Sequence, residues 1–322
     1  MKAVRFREYG GPDVLKIEEV EKPVPQGQQV LIKVRAASIN ALDWRSMRAD
    51  PFFIRLMGGG LLKPNDTRLG SDVAGEVEAV GDAVTQFKPG DAVFGCGKGS
   101  FSEYMLAKNA YLAFKPANCS FEQAAATPVA GLTALQGYRY AGGVKPGQSV
   151  LVQGASGGVG MFAVQLAKAY GAEVTAVCSP RNLEMARSLG ADHVIDYTRE
   201  DFTRNGQCYD LIIAANGYHP IWHYRRALNP KGIYVCAGGK MGQLFQAMLL
   251  GPMLSRNGDQ KLGSMGIAKV NHADLVILAE LLEAGKIDPV IDRSYPIDEI
   301  VDAMRYVVEK HPQGKVVITM DL

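Results

Sequence analysis

Gly154, Gly157 and Gly160 recur at every third position in Gln153-Gly154-Ala155-Ser156-Gly157-Gly158-Val159-Gly160. Placed between a strand and a helix, a G-x-x-G-x-x-G run is a variant of the dinucleotide fingerprint. Glycine permits the tight turn, lets the backbone approach a pyrophosphate, and lets helix and strand pack closely. The first helical turn then presents unpaired N–H groups and the positive end of its dipole to the phosphates. Ser156 adds a hydroxyl to the loop. One strand later, NAD enzymes place a carboxylate for the ribose 2′-hydroxyl. Here the chain reads Cys178-Ser179-Pro180-Arg181-Asn182. Ser179 and the planar, permanently charged fork of Arg181 suit a 2′-phosphate, so the expected cofactor is NADP(H). Arg181 is also readable as a solvated helix-start residue.

A metal-ligand set is missing. Catalytic zinc needs thiolate, imidazole or carboxylate ligands converging on it. The first histidine is His193, and Cys96 and Cys119 stand alone before it. His219 and His223 have the i, i+4 spacing of a helical chelate, but Pro220 lies between them. Hydride transfer without zinc is therefore expected.

The elements that must carry this loop are legible as alternating strands and helices. SVLVQG is a strand and GVGMFAVQLAKAYG a helix ended by Gly171. EVTAVC is the next strand, followed by the helix RNLEMARSLG. HVIDY, DLIIAA and GIYVCAGG read as further strands, with IWHYRRAL helical. Such alternation with short links predicts a parallel sheet covered by helices on its faces. Before residue 121 the chain reads as β-rich, with runs such as VLIKVRAASI, VAGEVEAVG and DAVFG broken by glycine and proline. FEQAAATPVAGLTALQGYRYA is helical and interrupted at Pro128. The tail reads as the helices DLVILAELLEAGKI and PIDEIVDAMRYVVEKH and the strand KVVITM.

A chain of 322 residues exceeds what one core usually carries, which predicts two domains. With 35 basic and 33 acidic residues, nothing points to nucleic acid as a partner. The five cysteines are scattered and form no C-x-x-C pair, which suits a reducing compartment. The opening MKAVRFREYGG lacks the apolar core of a signal peptide, and a cytoplasmic location is expected. LFQAMLLGPML, from Leu244 to Leu254, is too short to span a bilayer. It reads as a loop and helix packed on the protein's own core, or else as a lid, a dimer interface or a peripheral membrane contact.

AASINALDWR, SDVAGEVEAVG, FKPGDAVFG, AAATPVAGLTALQ, GASGGVGMFAVQLAKAYGAEVTAVCS, SLGADHVIDY and NPKGIYVCAGG follow one another along essentially the whole chain. In this order they resemble the zinc-independent medium-chain dehydrogenase/reductases of the quinone oxidoreductase-like group. Within it, the chloroplast-envelope and the alkenal or oxoalkene reductase branches look most similar. The resemblance implies an α/β protein: a GroES-like catalytic domain from residues 1–122 and 268–322, and a Rossmann NADP-binding domain from residues 123–267. Where zinc-dependent relatives carry a Cys and a His, this chain has Ser38 and Ser71. The resemblance implies that Asn40 and Thr133 lie near the nicotinamide and its ribose, and that Thr127 lines the cleft. Ser156, Gly157, Gly158 and Val159 would hold the pyrophosphate. Ser179, Arg181 and Tyr197 would surround the 2′-phosphate. Asn216 would lie under the ribose, with Gly238, Gly239 and Ser264 flanking the nicotinamide. It also implies a homodimer.

The activity expected is hydride transfer from NADPH to an α,β-unsaturated carbonyl compound or a quinone. The alternative is an NADPH-binding protein with a structural or regulatory role and little turnover. No residue stands out as the proton donor; Asn40, Asp43 and Arg45 are the weak catalytic candidates, with Asp43 and Arg45 also readable as an ion pair. Trp44, Phe52 and Phe53 could line an apolar substrate pocket.

Overall fold

The computed structural model describes residues 1–52, 54–56, 60–256 and 258–320. Its contacts divide the chain into two compact units. One holds residues 1–129, 270–285 and 289–322; the other holds residues 130–269 and 286–288.

The first unit begins with an antiparallel pair, β1 (Lys2–Phe6) and β2 (Leu15–Glu19). β3 (Gln29–Ser38) then pairs antiparallel with both β4 (Asp72–Val80) and β6 (Tyr104–Lys108). β5 (Ala92–Cys96) joins β4 to β7 (Leu112–Phe114). Val30, Ile32 and Val34 alternate along β3 and enter one apolar cluster with Val73, Val77, Phe6 and Phe101. Alternate positions thus face one core, and Leu31 between them is buried as well. The far end of β3 is buried throughout, at Ala36, Ala37 and Ser38. The helix α1 (Ala41–Arg48) follows directly. α2 (Phe121–Ala126) packs on β3 and β4, which ties the segment through Val129 to this unit rather than ending it at residue 122. Its start is a capping box: the Ser120 hydroxyl accepts the Gln123 N–H at 3.1 Å, and the Gln123 side chain accepts the Ser120 N–H at 3.0 Å.

The second unit begins inside α3 (Pro128–Tyr140). Six parallel strands follow: β8 (Ser149–Gln153), β9 (Glu173–Cys178), β10 (His193–Asp196), β11 (Tyr209–Ala214), β12 (Leu228–Cys236) and β13 (Lys261–Ser264). Between them run α4 (Gly158–Ala169), α5 (Leu183–Ser188), α6 (Ile221–Arg226), α7 (Met241–Leu249) and α8 (Gly251–Arg256). Residues 150–152 and 174–178 are wholly buried, as strands covered on both faces must be. The strand order is β10-β9-β8-β11-β12-β13. The chain therefore runs outward from β8 to one edge, returns beside β8 at β11, and continues to the other. Between β8 and β11 lies the switch point, where open parallel sheets bind ligands beyond the carboxyl ends of their strands.

The segment from Leu244 to Leu254 departs from the packed reading. It forms most of α7 and α8, and only part of it is covered. Leu244 and Leu254 pack on the core, whereas Phe245, Met248, Leu249 and Met253 are exposed. Among the described residues no helix is long and apolar enough to cross a membrane.

The tail returns to the first unit. α9 (His272–Glu283) and α10 (Ile300–Lys310) flank β14 (Ile291–Pro296), which pairs parallel with β15 (Lys315–Thr319). β15 pairs antiparallel with the end of β3, placing Val317 opposite Ser38. Ile300, Ala303 and Met304 form the apolar stripe by which α10 is buried.

Candidate active site

The loop 154–157 sits at the switch point. The Gln153 carbonyl accepts N–H groups from Ala215 at 3.0 Å and Asn216 at 3.2 Å, which fixes the turn after β11 against the end of β8. Gly154 has φ +78°, and a Cβ there would lie 2.7 Å from the Asn216 nitrogen. At Gly160 a Cβ would stand 2.0 Å from the Gly154 carbonyl oxygen. Gly157 differs. It is the N-cap of α4, makes no side-chain cap, and a Cβ would come no closer than 3.6 Å to Gly154. The protein's own packing thus demands glycine at 154 and 160, while the face at 157 is open beside the unpaired N–H groups of the helix start. Gly160→Ala is expected to cost about 1–3 kcal/mol through overpacking. Gly157→Ala should leave thermal unfolding nearly unchanged yet weaken NADPH binding in a fluorescence titration. A Gly160→Ala protein as stable as the parent would contradict this account.

The residues assigned to the cofactor in the second unit collect at the carboxyl edge of its sheet. Ser179 follows β9 and is half-buried; Arg181 is exposed. Tyr197 follows β10, is exposed, and donates its N–H to the Cys178 carbonyl at 3.3 Å. Asp196 is the carboxylate at that end, and it is engaged locally. It accepts the Thr198 hydroxyl at 2.7 Å and the Thr198 N–H at 2.9 Å, and these bonds hold its pKa below the usual carboxylate range. Asn216 is exposed, its side-chain oxygen accepting the Gly217 N–H at 2.9 Å. Gly238 and Gly239 follow β12; a Cβ at Gly238 would lie 2.5 Å from the Ala215 carbonyl. The Ser264 hydroxyl at the end of β13 donates to the Cys236 carbonyl at 3.2 Å. Thr133 lies on α3 and is almost buried. Gly158 and Val159 form the first turn of α4.

The other candidates belong to the first unit, where the structure shows a buried polar cluster absent from the sequence reading. Asp72, fully buried at the start of β4, accepts four nitrogen and oxygen donors. These are the Ser38 hydroxyl at 2.7 Å, the Asn40 amide at 2.8 Å, the Val129 N–H at 2.9 Å and the Lys315 ammonium at 3.3 Å. Lys315 is only 4% exposed and also donates to the Asn40 side-chain oxygen at 2.5 Å. Both ends of the Asn40 amide are therefore engaged inside the protein. Asp43 accepts the Asn40 N–H at 2.7 Å across the first turn of α1. Burial, with the Asp72 charge adding to it, pushes the Asp43 pKa up to about 7. Burial also raises the Cys96 thiol, whose sulfur lies 3.8 Å from Asp72.

Asp43 and Arg45 do not face one another, because helix positions two apart point in different directions. Asp43 is buried, and Arg45 lies over the Trp44 ring. Thr127 is fully buried, its hydroxyl donating to the Gln123 carbonyl at 2.9 Å. Asp43, Leu42, Ser46, Ile54 and Ser71 share the lining of a cavity. Trp44 packs on the apolar core and Phe52 is exposed, while Phe53 lies outside the described residues. Among the described residues no three His, Cys, Asp or Glu side chains gather around a metal position. α6 starts only after Pro220, so His219 and His223 do not form a helical i, i+4 pair.

A sequence family described as "Alcohol dehydrogenase GroES-like domain" matches residues 26–117, and one described as "Zinc-binding dehydrogenase" matches residues 189–318. The chain is 32% identical to a chloroplast envelope quinone oxidoreductase homolog of Arabidopsis thaliana, over 99% of this chain and 98% of that protein. It is 36% identical to a 2-methylene-furan-3-one reductase of Solanum lycopersicum, over 99% of this chain and 79% of that protein. The quinone oxidoreductase structure from Coxiella burnetii superposes with a TM-score of 0.86 at 30% identity, covering 99% of both chains.

Proposed function

The chain belongs to the medium-chain dehydrogenase/reductase superfamily, with a GroES-like β-rich domain and a Rossmann-like parallel-sheet domain, and from that premise we propose that it is a zinc-independent, NADPH-dependent reductase of α,β-unsaturated carbonyl compounds or quinones. At the coarser level it is an oxidoreductase using a nicotinamide cofactor and a small-molecule substrate, as its NAD(P)H-dependent relatives are.

The observation that carries the reading is the carboxyl edge of the parallel sheet. The Ser156 hydroxyl, next to the open glycine helix start at Gly157, is tied through the Asn182 amide to Ser179, and the carboxylate at that edge, Asp196, is held in its own turn. The N–H groups at the start of α4, with Ser156, Gly157, Gly158 and Val159, would hold the pyrophosphate. Ser179, Arg181 and Tyr197 would take the 2′-phosphate, where a planar guanidinium suits a phosphate. Asn216, Thr133, Gly238, Gly239 and Ser264 would border the ribose and nicotinamide. When bound, the cofactor supplies the hydride; the protein's part is to orient the reactants and exclude water.

Independence from zinc is supported by the buried cluster. Ser38 already donates to Asp72, and the Lys315 ammonium already compensates that carboxylate. A dication would have to displace a buried cation. The exposed apolar residues of α7 and α8, beside the unpaired edge of β13, support pairing with a second copy.

NADPH oxidation followed against an enone, an alkenal, a quinone and a saturated aldehyde tests the proposal. The expected result is chelator-resistant turnover of the enone or quinone, with NADPH at least about tenfold better than NADH. Tight NADPH binding with no turnover across the panel would instead favour the binding role.

A further inference from the structure

Asn182 occupies a position whose usual work it does not perform. It is the N-cap of α5, where an Asn side-chain oxygen ordinarily accepts an N–H of the first helical turn. Here the side chain makes no cap. It is buried, and its amide donates one N–H to the Ser156 hydroxyl oxygen at 2.7 Å and the other to the Ser179 hydroxyl oxygen at 3.0 Å. The backbone supports this pose, since the Asn182 N–H donates to the Ser179 carbonyl at 2.9 Å. One side chain thereby ties the phosphate loop after β8 to the turn after β9.

The donor–acceptor accounting has a direction. A serine hydroxyl has one proton to give and two lone pairs to fill. An amide NH2 group can only donate. Each serine oxygen is thus an acceptor toward Asn182, and neither hydroxyl donates to another described residue in the hydrogen bonds of the structure. Both protons remain to be given to an external acceptor, and both serines are partly exposed. Two such donors, one of them two residues from the exposed Arg181, match an anion with several acceptor oxygens.

We propose that Asn182 is a positioning residue that turns Ser156 and Ser179 into paired donors and so couples recognition of the pyrophosphate to recognition of the 2′-phosphate. The proposal rests on the NADP(H) reading. Asn182 touches neither phosphate; it acts through the two serines.

The test uses adenosine 2′,5′-bisphosphate and 5′-AMP as probes, titrated calorimetrically into the full-length protein. The parent should bind the bisphosphate more tightly; if it shows no preference, the NADP(H) reading itself fails. Asn182→Asp keeps the shape but replaces the donating amide by acceptor oxygens. It should weaken bisphosphate binding about 10- to 100-fold. Asn182→Ala should weaken it about tenfold. Ser179→Ala, Asn182→Ala and the double variant close a cycle that a purely structural role would not reproduce. The double variant should be little worse than Ser179→Ala alone for the 2′-phosphate preference, because Asn182 acts there through Ser179. Parental binding by Asn182→Ala, or strictly additive losses in the cycle, would overturn the proposal while leaving the cofactor assignment intact. Thermal unfolding of each variant checks that the fold persists.

Discussion

Lys315→Met should destabilise the protein by about 3–5 kcal/mol, as expected when one member of a buried ion pair is removed and the other charge stays behind. Lys315 is 4% exposed and Asp72 is fully buried. The remaining donors to Asp72 are a hydroxyl, an amide, a backbone N–H and, at 3.8 Å, the Cys96 thiol, all neutral. They satisfy lone pairs without supplying a counter-charge, so the carboxylate would have to ionise unpaired or take up a proton. The Asn40 oxygen would lose its Lys315 donor as well. Adding Asp72→Asn to Lys315→Met removes the stranded charge, and the double variant should be more stable than Lys315→Met alone. Urea unfolding of the three proteins measures this directly. A Lys315→Met protein within about 1 kcal/mol of the parent would show that the pair carries little net energy.

That cluster also marks where the sequence ceased to be readable. Lys315 and Asp72 are 243 positions apart. No local pattern joins them; the only trace is a carboxylate opening one apolar strand and a lysine opening another. The Rossmann-like unit was legible because its strands are covered on both faces and read as unbroken apolar runs between helices. The first unit was less so. α1 buries only Asp43 and Met47, so its sequence shows no helical stripe and its helix went unread. β1 and β7 are short, and β14 has no buried residue. Such strands exist because a neighbour pairs with them, which is information from elsewhere in the chain. The glycines of the loop could be located by spacing, but their unequal roles could not. Only the distances separate Gly160, required by the Gly154 carbonyl, from Gly157, whose open side faces a ligand position. Asn182 carries no signal of its own in the sequence, because its engagement with Ser156 is tertiary.

The second large effect is in pH dependence and belongs to Asp43. Its pKa rises from 3.8 to about 7 in the folded protein, chiefly through burial. Because the folded-state value lies above the unfolded one, the folded state binds the extra proton between them. The stability linked to this group is fully present below the unfolded value, declines as pH rises, and is lost once pH passes the folded value. At about 1.4 kcal/mol per pH unit, the loss between pH 4 and 7 is on the order of 4 kcal/mol as an upper bound. Asp43→Asn removes the titration. Its neutral amide can still accept the Asn40 N–H, so the variant should show a flatter stability profile across this interval. Near pH 8 the variant should approach or exceed the parent, because the parent there carries a buried charge beside Asp72. His219, whose pKa burial lowers, contributes an opposite slope in the same interval, and it is common to both proteins. The difference between variant and parent therefore isolates Asp43. Denaturant unfolding at pH 5, 6, 7 and 8 gives the two profiles. Parallel profiles would mean that Asp43 stays ionised throughout, held by the Asn40 N–H and the nearby Lys315 charge. A converging pair would establish a carboxyl group that keeps its proton close to neutrality on the wall of the cavity shared with Leu42, Ser46 and Ser71.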